Sequence, residues 1–190
     1  MSVVLASASP RRRELLLMLR VENLKIIPAL GEEVIDEGMT PEEAVCALSF
    51  AKAKEVSKLC STDDIIIAAD TVVAVDGMII GKPDGEEDAF RMLSLLSGRT
   101  HNVFTGVTVM RKDEIYTEYE RTAVRFRELS ESEIRAYIKT GEPMDKAGAY
   151  GAQGIGSLFV EGIEGDFFNV MGLPLCRLSK MLNKMGVRLI

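Results

Sequence analysis

Two stretches of this 190-residue chain combine residue types that can do chemistry. The first is Asp70-Thr71, set inside Ile65-Ile-Ile-Ala-Ala-Asp-Thr-Val-Val-Ala-Val75, a run otherwise apolar and rich in β-branched residues. A carboxylate in such a run is costly to bury unless it is paired, hydrogen-bonded or bound to a cation. The second is Ser7-Ala-Ser-Pro-Arg-Arg-Arg13, where Ser9 reads as a helix N-cap and Pro10 as the first helical residue. Arg11, Arg12 and Arg13 then crowd the positive end of the helix dipole and repel one another. That cost disappears if an anion sits there, held by orphan N–H groups and guanidinium forks. Successive helical residues point about 100° apart, so at most two of the three arginines can face one site. The competing reading is a solvated basic turn with Glu14, Glu32 or Glu33 nearby.

Other chemistries find little support. His101 is the single histidine; a general base is one reading, but its place beside a predicted strand favours a surface or strand-end residue. With no Gly-x-Ser-x-Gly, His-Glu-x-x-His or Cys-x-x-Cys, a Ser-His-Asp hydrolase would rest on that one imidazole and is set aside. Any metal would be a hard cation on oxygen ligands, Mg²⁺ or Mn²⁺. The net charge of −6 and the low aromatic content argue against a nucleic-acid binder. No apolar run approaches the roughly 20 residues of a membrane helix, and the first residues lack the pattern of a signal peptide. Cys46, Cys60 and Cys176 are odd in number and widely spaced, as expected of free thiols in a cytoplasmic protein.

The elements that must position these groups can be read from pattern. Ile65–Val75 reads as a buried strand, and Asp76-Gly77 as the two-residue turn of a hairpin returning through Met78–Ile80. With Val75 facing Met78, counting back puts Lys82 opposite Thr71, one residue from Asp70; the hairpin then brings a carboxylate, a hydroxyl and an ammonium together, either as a site for chemistry or as an internal ion pair at a strand end. Pro83 cannot donate to the ladder and should end it. Upstream, Val3–Ala6 and Leu24–Pro28 read as strands, and the latter leads to an acidic loop, Gly31–Glu37. Glu32 and Glu33 there are either metal ligands or solvated. Thr40-Pro-Glu-Glu43 is a capping box for a helix to about Leu59, carrying Lys52 and Lys54 as surface charges by default.

Downstream, a helix over about 89–96 stopped by Gly98 precedes strands over 100–110 and 115–126. Ser130-Glu-Ser-Glu133 is a second capping box, for a helix to about Thr140 stopped by Gly141. The glycine-rich segment 142–156 must bring backbone close to something, a ligand or another part of the chain. Gln153 is its one side-chain amide, able to read a base edge or to brace a loop. A strand over 159–163 and a last helix from Gly172-Leu-Pro-Leu to about Met185 complete a mixed sheet interleaved with helices, in one domain or two tightly joined lobes.

Leu5-Ala-Ser-Ala-Ser-Pro-Arg-Arg12, Ala69-Asp-Thr-Val-Val73, Gly81-Lys-Pro83, Leu96-Ser-Gly-Arg99, Glu142-Pro-Met-Asp-Lys-Ala-Gly-Ala-Tyr-Gly151 and Val170-Met-Gly-Leu-Pro174 resemble the Maf family, in the family's order and over nearly the whole chain. The resemblance implies a single domain over 1–190 like that of inosine-triphosphate pyrophosphatases. That fold is α/β, an elongated mixed sheet flanked by helices, with two lobes and a central cleft. It also implies hydrolysis of nucleoside triphosphates to the monophosphate and pyrophosphate with a divalent metal. Ser-Pro-Arg-Arg, Asp-Thr and the glutamine of the glycine loop are similar to the dTTP/UTP pyrophosphatase type.

Carried over singly, Asp70 is the proton acceptor, and Arg11, Thr71 and Gln153 discriminate the base. Ser7, Arg12, Lys52 and Lys82 handle phosphate, and Glu33 with Asp70 handles metal. The chain departs from the family's pattern at Arg13, a third cation, and at Ala152, where a larger aliphatic is common. The expected partner is a nucleoside triphosphate, with no nucleic acid and no membrane, and with room for a homodimer. The alternative is a nucleotide-sensing regulator of cell division that binds without turnover. Asp70 separates the two, because a sensor needs no carboxylate beside the α-phosphate.

Overall fold

The computed structural model describes residues 2–189. In chain order the elements are β1 (Val3–Leu5), α1 (Pro10–Met18), β2 (Leu24–Ile26), α2 (Pro41–Ser57), β3 (Ile65–Val75), β4 (Met78–Ile80) and α3 (Glu86–Leu96). They are followed by β5 (Thr100–Arg111), β6 (Glu114–Phe126), α4 (Glu131–Ile138), three short 3₁₀ turns between Glu142 and Phe159, β7 (Val160–Glu164), α5 (Phe167–Val170) and α6 (Leu175–Lys184). The strands form one seven-stranded mixed sheet in the order β2-β1-β3-β5-β6-β7, with β4 paired to β3. β1 runs parallel to both β2 and β3, while β4 and β7 are antiparallel to their neighbours. β5 and β6 are sheet neighbours joined by only two residues, a link that antiparallel strands alone can make.

The chain divides into two compact units. One contains the residues up to Asp70, Thr105–Glu120 and the segment from Gly172; the other contains Thr71–Phe104 and Arg121–Met171. Each has its own apolar core. In the first, Val4, Ala6, Ile66, Ala68 and Met110 of the sheet pack on Ala53 and Val56 of α2. Gly106 lets α2 approach, since a Cβ there would collide with the Val45 carbonyl. In the second, Val73, Val75, Val124 and Phe126 pack against Leu93 and Leu96 of α3, Ile134 and Tyr137 of α4, and Tyr150 and Phe159.

Local signals decided most boundaries. Thr40 and Ser130 both close full capping boxes, with Glu43 and Glu133 reaching back to the cap N–H groups. Asp76 and Gly77 both take positive φ, 51° and 78°, as the tight hairpin requires. α3 begins three residues earlier than its apolar pattern suggested, because Glu86, Glu87 and Asp88 suit the positive end of the dipole. The short α5, capped by Asp166 on the Phe168 N–H, had no periodicity to reveal it.

Candidate active site

In the first unit the connectivity itself marks a place. β1 leads through α1 to β2 on one side, and the chain then crosses through α2 to β3 on β1's other side. Such a switch point leaves a crevice outside the carboxyl ends of the strands, where open α/β sheets bind ligands. The register Leu5↔Ile67, extended by the Ala6 N–H donating to the Ile67 carbonyl at 2.8 Å, brings the end of β1 level with the approach to Asp70. Ser7 and the arginine turn leave from the one strand, and Asp70 sits on the other.

The turn is built as its sequence requires. Ser9 is the N-cap and accepts from the Arg12 N–H, and Pro10 opens α1. Ser7 is buried, and its Oγ accepts from the Ser9 N–H and from Arg12 Nη1, both at 3.2 Å. Arg12 Nε donates to the Gly172 carbonyl at 2.8 Å, so the loop before α6 fixes the guanidinium from its other edge. Burial lowers the Arg12 pKa below its ordinary value; Asp70 and Glu33 oppose that shift, and Arg11 adds to it. Arg12 therefore feels both carboxylates and a neighbouring cation. Arg11 is half-buried with it, and Arg13 is exposed.

Ile66, Ala68 and Asp70 share one face of β3, and the first two lie under Ala53 and Val56 of α2. From that same helix Lys52 reaches Asp70, midway along the strand. Its Nζ lies 2.5 Å from Asp70 Oδ1 and 2.6 Å from Glu33 Oε1, with side chains 15%, 9% and 44% exposed respectively. Lys52 is thus no surface charge but an ammonium held between two carboxylates. Glu55, one turn along α2, accepts from the successive N–H groups of Leu30 and Gly31 at 2.8 and 3.0 Å, tethering the acidic loop that carries Glu33. Among the described residues no group of three or more histidine, cysteine, aspartate or glutamate side chains gathers. Two carboxylates alone suit Mg²⁺, which is commonly bound by one or two of them with waters and substrate phosphates. The cation already seated between Asp70 and Glu33 shows that the pair accepts positive charge.

Thr71, Lys82 and Gln153 belong to the second unit. The hairpin register is Val73↔Ile80, Ala74↔Ile79 and Val75↔Met78, as expected, but pairing stops at Ile80. Lys82 therefore lies two residues beyond the ladder, exposed, and is not set opposite Thr71. The Gly81 carbonyl instead accepts from the Gly148 N–H at 2.9 Å, which draws this strand end toward the glycine-rich segment. Asp70's ammonium partner is Lys52. Gln153 is exposed, in a loop whose glycines admit close contacts within the chain itself. A Cβ on Gly154 would lie 2.5 Å from the Glu142 carboxyl carbon, and one on Gly156 would lie 2.7 Å from the Tyr137 hydroxyl.

His101 lies at the start of β5, but in the core rather than at the surface. It makes a 2.8 Å hydrogen bond to Tyr150 and packs edge-on to Phe126, while its Nδ1 has no partner. Burial pushes its pKa down to about 4, so it is neutral and structural. Cys46, Cys60 and Cys176 are free, and no helix among the described residues is long and apolar enough to cross a membrane.

Residues 2–185 match the family model described as Maf-like protein. The chain belongs to the Maf family. Among Maf relatives, the dTTP/UTP pyrophosphatase of Bacillus cereus strain AH187 is 47% identical over 185 residues, covering 97% of this chain and 96% of that protein. The dTTP/UTP pyrophosphatase of Caldicellulosiruptor saccharolyticus is 47% identical over 189 residues, covering 97% and 94%. The chain is also similar to two solved structures. A nucleoside-triphosphatase, dITP/XTP pyrophosphatase, from Mycobacterium abscessus has a TM-score of 0.46 at 15% identity, covering 98% of this chain and 95% of that one. The Staphylococcus aureus Ham1 protein has a TM-score of 0.45 at 18% identity, covering 66% and 72%.

Asp70, Arg12 and Ser7 of the Maf motifs thus lie in one cluster, with Lys52 and Glu33 from outside those motifs. Reading the sequence missed Glu55 and the Gly172 carbonyl as supports. Glu55 looks like any helix-surface glutamate, and a backbone carbonyl leaves no mark in a sequence.

Proposed function

We propose that the chain hydrolyses nucleoside triphosphates, dTTP and UTP, to the monophosphate and pyrophosphate, using Mg²⁺ or Mn²⁺ in the cytoplasm. The observation that carries this reading is the Lys52 ammonium between Asp70 and Glu33, beside a turn where Arg12 is held by Ser7 and the Gly172 carbonyl, an arrangement that supports an anion site there. A seat for a cation next to a seat for an anion is what a metal–triphosphate complex needs. The naming of its 47%-identical relatives as dTTP/UTP pyrophosphatases supports the substrate.

In this reading Asp70 takes the proton of the water that attacks the α-phosphorus, a general-base role for a positioned carboxylate. Arg12, Ser7 and Lys52, with Arg11 and Lys82, bind the phosphate oxygens and neutralise the charge that gathers on the leaving pyrophosphate. Thr71, Gln153 and Arg11 distinguish the base. Asp70 and Glu33 would hold a divalent cation, which supplies Lewis-acid polarisation of phosphoryl oxygens and a more acidic bound water. The test is release of pyrophosphate across a panel of nucleotides with Mg²⁺ or Mn²⁺. Turnover of dTTP and UTP above purine triphosphates is expected; orthophosphate with a nucleoside diphosphate, or binding without turnover, would overturn the reading.

A further inference from the structure

Gln153 is exposed, so packing of its own side chain does not place it; the backbone of its loop does. That backbone is irregular and rich in glycine, and holding it in one shape costs conformational entropy. Beside bonds within the loop, such as Ser157 Oγ to the Gly154 carbonyl, the groups that tie it to the rest of the chain converge on Glu142. Its Oε2 accepts from the Ile155 N–H at 2.9 Å, and its Oε1 accepts from the Gly156 N–H at 3.1 Å and the Tyr137 hydroxyl at 2.9 Å. The Tyr137 oxygen in turn accepts from the Gly151 N–H at 3.2 Å. Tyr137 is anchored in α4, buried, and edge-on to Phe159 with ring centroids 4.9 Å apart. The Glu142 end is fixed as well, since Lys146 Nζ donates to its backbone carbonyl at 2.5 Å. Residues 151, 155 and 156 are therefore tied to one carboxylate–phenol pair, the phenol on α4 and the carboxylate on the 3₁₀ turn that follows it, and Gln153 sits between the ties.

We infer that Glu142, relayed by Tyr137, is a positioning residue for substrate selection, holding the 151–156 loop in the shape that presents Gln153 to the nucleotide base. This rests on the assignment of Gln153 to base recognition. The constraint is tight, because a side chain at Gly154 or Gly156 would displace the carboxylate or the phenol. Preorganisation of this kind improves binding by removing the ordering cost that a loose loop must meet each time a ligand arrives.

Glu142→Gln tests it with little change of shape. An amide has one acceptor oxygen, so its NH₂ must face an N–H or hydroxyl that the carboxylate now satisfies. Amide hydrogen exchange at 151, 155 and 156 should accelerate about tenfold, and KM for dTTP should rise about tenfold with kcat little changed, as for the loss of one or two hydrogen bonds. In a Gln153→Ala background, Glu142→Gln should add nothing further to KM. Unchanged exchange at these amides, or the same fold-loss in both backgrounds, would overturn the inference. A Gln153→Ala protein with wild-type KM for dTTP would overturn the base-reading role and the positioning role together. A raised KM in Gln153→Ala beside an unaffected Glu142→Gln would overturn the positioning role alone. If Glu142→Gln does not fold, Tyr137→Phe, which removes one hydroxyl from the same carboxylate, must show the same pattern on a smaller scale or the inference fails.

Discussion

Replacing Asp70 by Asn removes the charge and the proton acceptor while keeping the shape of the side chain. Two consequences can be separated. As a general base Asp70 contributes about 10²–10⁴ in rate, so kcat should fall by that factor. As the partner of Lys52 it contributes to stability, and the structure bounds how much. Breaking a buried ion pair costs about 3–5 kcal/mol when the remaining charge is left alone. Lys52 would not be alone, because Glu33 stays 2.6 Å from the same Nζ. The loss should then resemble that of one charge-assisted hydrogen bond, about 1.5–3 kcal/mol. For a chain of this size that is a fall in Tm of roughly 3–12 °C, which leaves the protein folded at assay temperature. Nucleotide binding should survive, since the substitution removes a negative charge that faces a polyphosphate. Thermal unfolding, titration with a non-hydrolysable dTTP analogue and turnover should be measured on one preparation. A folded, binding, inactive protein is the expected result. Turnover within about tenfold of wild type, below the range for loss of a general base, would remove Asp70 from the chemistry. Activity lost only in proportion to unfolding would reduce it to a structural ion pair.

Arg12→Ala should lower kcat/KM roughly ten- to a hundredfold, the worth of a charge-assisted bond, whereas Arg13→Ala, at an exposed position, should change it little; equal losses would mean that the helix face is misassigned. His101 is held neutral with its pKa lowered to about 4, so the unfolded chain binds the extra proton first as pH falls. Stability should therefore decline from pH 6.5 toward 4, by roughly 3 kcal/mol from this residue, and His101→Gln should flatten that part of a denaturation-versus-pH profile; an unchanged slope would exclude the residue.

What could be read in the sequence was what local physics decides. The buried strand around Asp70, the Ser9 cap with Pro10 behind it, and both capping boxes follow from neighbours within a few residues. Lys52 shows the limit. On its helix it is indistinguishable from Lys54, and only the docking of Ala53 and Val56 onto Ile66 and Ala68 aims it at Asp70. Lys82 fails in the opposite direction. The register was counted correctly as far as it ran, but the strand's length is set by Gly81 turning to meet Gly148, a contact 67 residues away in sequence that no ladder count contains (148 − 81). His101 was read from its place beside a predicted strand, whereas its surroundings come from Phe126 and Tyr150, far along the chain. The glycines of 151–156 announced close contact without naming its partner, which proved to be Glu142, at the start of the same segment.

In the proposed reaction, water activated at Asp70 attacks the α-phosphorus of a nucleoside triphosphate. Hydrolysis of dTTP in ¹⁸O-labelled water, with products resolved by mass, tests it most directly. Attack at the α-phosphorus places one ¹⁸O in the thymidine monophosphate and none in the pyrophosphate. Label in the pyrophosphate, or in orthophosphate beside a diphosphate, would contradict it.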